Sequence, residues 1–140
     1  MSLENLEGIS LEKVKPDAEM IQRLISAAER NLRDARVISI SPENRFDAAY
    51  KAIMQLSNAA LLANGFRTLT SQPGHHMTMI QSLRHTIGLD TQSVIVLDAL
   101  RKQRNVADYS GDTIPEGTVG ECISRAEFLF ENVRMWMADR

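Results

Sequence analysis

The stretch from Ser41 to Gly65 constrains the fold most. Phe46, Ala49, Tyr50, Ile53, Leu56 and Ala60 recur at three- and four-residue steps, a spacing that lines one face of an α-helix and does not suit the two-residue period of a strand. Ser41 supplies an N-cap, Pro42 fits the first helical position, and Glu43 places an acid in the first turn. Asn64-Gly65 supplies the stop. A helix this long with one apolar stripe must bury that stripe against a second element, and the rest of the chain offers mainly helices.

A first long helix is predicted from Pro16-Asp17, with Ile21, Leu24, Ile25, Ala28, Leu32 and Ala35 on one stripe. The β-branched run Val37-Ile38-Ser39-Ile40 ends it. Its outer face carries Arg23, Arg30, Arg33 and Arg36. Glu29 and Asp34 are interspersed among them, which reads as a solvated face rather than a nucleic-acid stripe. Residues 65–74 read as a loop, punctuated by Pro73-Gly74. A shorter helix then shows His76, Ile80, Leu83 and Ile87 on one face and ends at Gly88. Asp90 caps a fourth helix running through Val94, Leu97 and Leu100 into Arg101–Tyr109. After a second loop at 110–117, Thr118 and Glu121 form the spacing of a capping box. The last helix carries Val119, Cys122, Ile123, Ala126, Leu129, Phe130, Val133 and Trp136, with Met135 and Met137 expected to finish the core or a dimer contact.

The expected fold is therefore all-α: an antiparallel up-and-down bundle of about five helices, because short connections between long helices make sequential neighbours antiparallel. Residues 1–15 lack sustained periodicity and read as an arm or a short extra helix, with 16–140 forming the bundle in a single domain. At 140 residues, 44% hydrophobic and 24% charged, the chain can bury a real core; with aromatics at 5%, that core is built chiefly from aliphatic residues and Met.

Charge and motifs exclude several functions. A net charge of -2 provides no global field toward nucleic acid or anionic lipid, so any such contact must come from a local patch. Nothing approaches the roughly 20 apolar residues of a membrane span, nor the pattern of a signal peptide, and a cytoplasmic location is the default expectation. There is no glycine-rich phosphate loop, no Glu-x-x-His or His-Glu-x-x-His helix, and no Gly-x-Ser-x-Gly elbow. No cofactor is expected, and no metal. The single Cys122 falls on an apolar stripe, where packing outweighs catalysis. His75 and His76 are adjacent, hence about 100° apart on a helix, and His85 lies nine positions beyond His76. Capping or helix–helix contact suits these histidines better than metal binding.

Arg101-Lys102-Gln103-Arg104-Asn105-Val106-Ala107-Asp108-Tyr109 differs in kind, with three cations in four positions at the end of an apolar helix. Arg101, Arg104 and Asp108 fall near one face, and Arg104 and Asp108 have the i,i+4 separation of an ion pair. Asn105 and Tyr109 form the adjacent stripe. Cations do answer the dipole and free carbonyls of a helix C-terminus, but that does not account for Asn, Asp and Tyr crowding the same turn.

The helix FDAAYKAIMQLSNAALLANGF, the entry PGHHMTMIQSL and the terminal RKQRNVADYSG before a final amphipathic helix, in that order, cover about residues 43–137. In these features the chain resembles the HEPN domains (higher eukaryotes and prokaryotes nucleotide-binding). The resemblance implies a helical bundle that commonly forms a homodimer, often beside a nucleotidyltransferase partner in toxin–antitoxin or defence systems. Active members are metal-independent ribonucleases whose motif is an Arg, often followed by a polar residue, and then a His a turn or so later. Arg104 and Asn105 match the start of that motif, but no His follows. Tyr109, Ser110 and Gly111 occupy its places after Arg104, and Val106, Ala107 and Asp108 those after Arg101.

That departure matters chemically. Cleavage through the 2′-hydroxyl needs a proton acceptor near neutral pH; imidazole, with a pKa of about 6.5, serves, and tyrosine, at about 10, is a poor base. Arg104 can still bind phosphate and stabilise negative charge. Three readings follow. The first is a non-catalytic or weakly catalytic module binding RNA, nucleotide or a partner protein through Arg101, Arg104, Asn105, Asp108 and Tyr109. The second is a toxin-type ribonuclease in which Tyr109 or a distant histidine such as His76 stands in. The third is a dimeric adaptor with these residues in a buried polar seam.

Overall fold

The structure, a computed structural model, describes residues 2–70 and 74–140. Over the described residues it is an all-α bundle of five α-helices with one small two-stranded ribbon: α1 (Ala18–Ala35), α2 (Pro42–Ala63), α3 (His75–Thr86), α4 (Thr91–Ser110) and α5 (Glu116–Ala138). The ribbon pairs β1 (Leu11–Lys13) with β2 (Phe66–Thr68), antiparallel. None of the helices is long and apolar enough to cross a membrane among the described residues.

Local chemistry explains the boundaries. The Asp17 carboxylate accepts from the backbone N–H of Glu19 at 3.0 Å and of Met20 at 3.2 Å, satisfying two orphan donors of α1. Ser41 Oγ does the same for Asn44 N–H of α2, and Asp90 for Ser93 N–H of α4. Asn64 is the C-cap of α2. Gly111, in the left-handed region at φ 73°, closes α4 with its N–H on the Ala107 carbonyl.

The axis of the bundle is α2. It packs against α1, α3 and α5, with lighter contact to α4, and α5 also reaches α1. Surrounded in this way, α2 is buried well beyond its expected stripe: Ala52, Ala59, Leu61, Leu62 and Ala63 are buried together with Phe46, Ala49, Tyr50, Ile53, Leu56 and Ala60. The small residues let its neighbours approach closely. The main core joins these to Ala28 and Leu32 of α1, Ile80 and Leu83 of α3, Val94 and Leu97 of α4, and Val119, Cys122, Leu129 and Val133 of α5. By contrast, α4 rests on α3 along one side, leaving Ile95, Val106 and Tyr109 exposed.

Several expectations are corrected. The segment read as an arm or a short extra helix holds a 3₁₀ helix, Glu4–Leu6, and then β1, which the sequence reading did not contain. The stretch read as a loop at 65–74 begins with β2, whose Phe66 and Thr68 face inward while Arg67 faces out and pairs with Glu12. Pro73 lies outside the described residues; Gly74 is the left-handed N-cap of α3. Thr118 does not cap α5, because that helix already begins at Glu116 behind Pro115, and no side chain caps it. Of the two methionines expected to finish the core or a dimer contact, Met137 packs on the core and Met135 is exposed, which leaves the expectation standing.

Candidate functional site

The polar cluster forms where three helices meet. From α2 come Asp47 and Tyr50, one turn apart; from the first turn of α3 comes His76; from the C-terminal half of α4 come Arg101, Arg104 and Asp108.

Tyr50 is only 2% exposed, on the stripe that packs the core. A buried phenol needs a partner for its hydroxyl, and His76 Nδ1 provides one at 3.2 Å. The hydroxyl makes no second hydrogen bond among the described residues. The bond runs from the hydroxyl to Nδ1 when the imidazole carries its proton on Nε2, and from Nδ1 to the hydroxyl in the other tautomer. Burial pushes the Tyr50 phenol up to about 12, against the pull of Arg104 and Arg101, which keeps it a donor at neutral pH. His76 is held below the ordinary histidine value, first by burial and then by His75, Arg104 and Arg101. His75 meets His76 edge-on at 4.7 Å between ring centres.

Arg104 lies over the outer face of the Tyr50 ring, its guanidinium carbon 5.0 Å from the centroid. Asp47 approaches its Nε to 3.7 Å and Asp108 its Nη2 to 3.8 Å. Both distances exceed a charge-assisted hydrogen bond, so neither carboxylate saturates the guanidinium fork. The Arg104 side chain keeps 32% of its surface in solvent. Asp47 is held above the usual carboxylate range, because burial and the nearby Asp108 outweigh the attraction of Arg104. Around this exposed cation stand a neutral imidazole and an aromatic wall.

The expected site residues divide. Arg104, Asp108 and His76 come together. Arg101 turns back to Asp98, its Nε 2.8 Å from the carboxylate that Lys102 shares at 3.6 Å; with its side chain only 15% exposed, it is a committed structural cation. Asn105 and Tyr109 do not join the cluster. Both sit on the open side of α4, Tyr109 at 93% exposure, where they share a shallow surface with Val106 and Ser110. The reason is helical phase: positions 105 and 109 point away from α2 when 104 and 108 point toward it. Asp47 and Tyr50 were missed as site residues. The one available signal was that Tyr, unlike its stripe neighbours, carries a hydroxyl that burial obliges to find a partner.

Among the described residues no three His, Cys, Asp or Glu side chains converge as a metal site. Cys122 is fully buried and its thiol is pushed up to about 12 by burial, with Asp47 and Glu121 adding to the shift. Compared with models of protein families the sequence matches none, and no curated protein matches it either.

Proposed function

We propose that this chain is a HEPN-like helical module that binds the phosphate of RNA or of a nucleotide at Arg104, with little or no catalysis. The observation that carries this reading is the state of Arg104. It is fixed over Tyr50, solvent-facing, and flanked by two carboxylates too distant to occupy its donors. A planar guanidinium held in this way offers paired N–H groups to a phosphate without first breaking a tight ion pair. His76, bonded to the Tyr50 hydroxyl through Nδ1 and close enough to feel the charge of Arg104, adds a neutral imidazole beside it.

The hydrogen bond between Tyr50 and His76 also argues for binding over cleavage. To accept a proton from a 2′-hydroxyl, the imidazole needs a bare Nε2, so its Nδ1 proton would have to be donated to Tyr50. That tautomer leaves the buried hydroxyl proton without an acceptor, at a cost of about 1–3 kcal/mol. The ribonuclease reading keeps one observation in its favour, since His76 is brought to the Arg104 cluster although it lies outside the motif.

The test is fluorescence anisotropy with a labelled single-stranded RNA and with ATP, on the native chain and on Arg104→Ala. Binding weakened tenfold or more in the variant, with the RNA recovered intact, is the expected result. Equal binding by the two proteins overturns the reading. RNA cleavage that disappears in His76→Ala replaces it with the ribonuclease. The homodimer and nucleotidyltransferase companion that the resemblance implies are checked by light scattering on the purified chain and by co-purification.

A further inference from the structure

The basic face of α1 is exposed to solvent, as its alternating charges suggest, but its cations differ in their partners. Arg23 pairs with Glu19 of its own helix, and Arg36 pairs with Glu127 of α5. Arg30 and Arg33 have no carboxylate within ion-pair distance among the described residues. Lys51 of α2 likewise has none. The three cations line one groove of about 570 Å³ between α1 and α2, together with Asn31, Asp34 and Gln55. Against them the groove sets a single carboxylate, that of Asp34, so the local balance is positive in a chain whose net charge is -2.

The groove is polar as well as basic. Asn31 Nδ2 donates to Gln55 Oε1 at 2.8 Å, tying the two helices together. That single bond leaves each amide with further hydrogen-bonding capacity. The groove also leads somewhere. Lys51 lies one turn along α2 from Asp47, which flanks Arg104, and Gln55 lies one turn further. Two turns of helix advance roughly 11 Å, the scale of a few nucleotides rather than of one phosphate.

We propose that the α1–α2 groove is a second subsite for the sugar–phosphate backbone of single-stranded RNA, reached from Arg104 along the outer edge of α2. Three cations that make no ion pair exchange bound counterions, not tight internal partners, for phosphates, which is the source of salt-dependent affinity. The amides offer hydrogen bonds to sugar or base edges, and the concave shape fits a strand better than the flat surface of a bilayer. The proposal rests on the RNA reading of Arg104 only for the direction of the strand; the groove's own residues carry the contact.

The test uses a labelled single-stranded RNA of about 12 nucleotides, a trinucleotide and vesicles containing phosphatidylserine. They are titrated onto the native chain, Arg104→Ala, and the triple variant Arg30→Ala, Arg33→Ala, Lys51→Ala. All three replaced side chains are exposed, and circular dichroism establishes that the variant is folded. The expected result is a tenfold or greater loss of 12-mer binding in the triple variant. Its slope of log affinity against log salt should be shallower by about two, at about 0.7 per phosphate contact on single strands, and trinucleotide binding should be retained. A triple variant that binds the 12-mer like the native chain overturns the groove. If Arg104→Ala alone loses binding, the Arg104 reading stands without it. Loss in the triple variant with Arg104→Ala unaffected upholds the groove and overturns Arg104. Binding to the vesicles with none to RNA overturns the proposal in favour of a lipid surface.

Discussion

The Tyr50 hydroxyl and His76 Nδ1, from residues 26 apart in the sequence, meet at 3.2 Å and join the middle of α2 to the start of α3. The contact holds the imidazole where the charge of Arg104 reaches it.

Burial first, and then the nearby His75, Arg104 and Arg101, hold His76 below the ordinary histidine value. With its folded pKa lowered, the unfolded chain binds the proton more readily. Stability from this group is complete above about pH 6.5 and declines as pH falls from there through the folded value. Two-dimensional NMR of the imidazole nitrogens, recorded against pH, checks this. In Arg104→Ala the His76 midpoint should move upward, because one opposing cation is gone; a midpoint that stays put would remove Arg104 from its surroundings.

Arg104 is held for its chemistry more than for the stability of the fold. Its ion pairs are loose and half exposed, and such pairs contribute about 0–1 kcal/mol. Arg104→Lys should lower the melting temperature little. It should still weaken RNA binding several-fold, because an ammonium lacks the flat fork that stacks on Tyr50. Calorimetry and anisotropy on one preparation separate the two effects.

Cys122 should be silent. Its sulfur is fully buried and its thiol is pushed up to about 12, so almost no thiolate exists at neutral pH. Ellman's reagent should label it only as fast as the chain opens, and fully at once in denaturant. Rapid labelling of the native chain would contradict the packing of α5 against α2.

Phe46 has no exposed surface and sits at the first buried turn of α2, where its carbonyl lies near the Cys122 sulfur. Phe46→Ala should cost about 3–5 kcal/mol. Thr86→Val should be neutral or stabilising by up to about 1 kcal/mol, since Thr86 Oγ1 is buried without a protein partner. Urea titration measures both.

What could be read from the sequence follows from how local each feature is. The caps Asp17, Ser41 and Asp90 and the stop at Asn64-Gly65 act within one helical turn, and each stands where its residue type indicates. The apolar stripe of α5 is buried from Val119 to Val133 for the same reason, with Trp136 half-buried beyond it. Thr118 misled because the helix already begins at Glu116, with Pro115 in the N-cap position three residues before the threonine. The ribbon was invisible: three residues of β1 carry no period, and the pairing that makes them a strand comes from β2, on the far side of α1 and α2. The Arg101–Tyr109 segment was recognisable as unusual. Which of its residues would act was not, because that depends on Asp47 and Tyr50 across the helix interface and on His76 beyond them. The groove was hidden likewise, since Lys51 belongs to the neighbouring helix.

The ribbon also has a consequence in time. Leu11 pairs with Thr68, and Leu3, Leu11, Leu61 and Phe66 form a small cluster apart from the main core. The helical hairpins close short loops and can assemble early, whereas β1 must wait until α1 and α2 have folded back to bring its partner near. The N-terminal segment is thus the last part to dock and the first to let go. Its amides should exchange with solvent well before those of α2, while the bundle beneath stays closed.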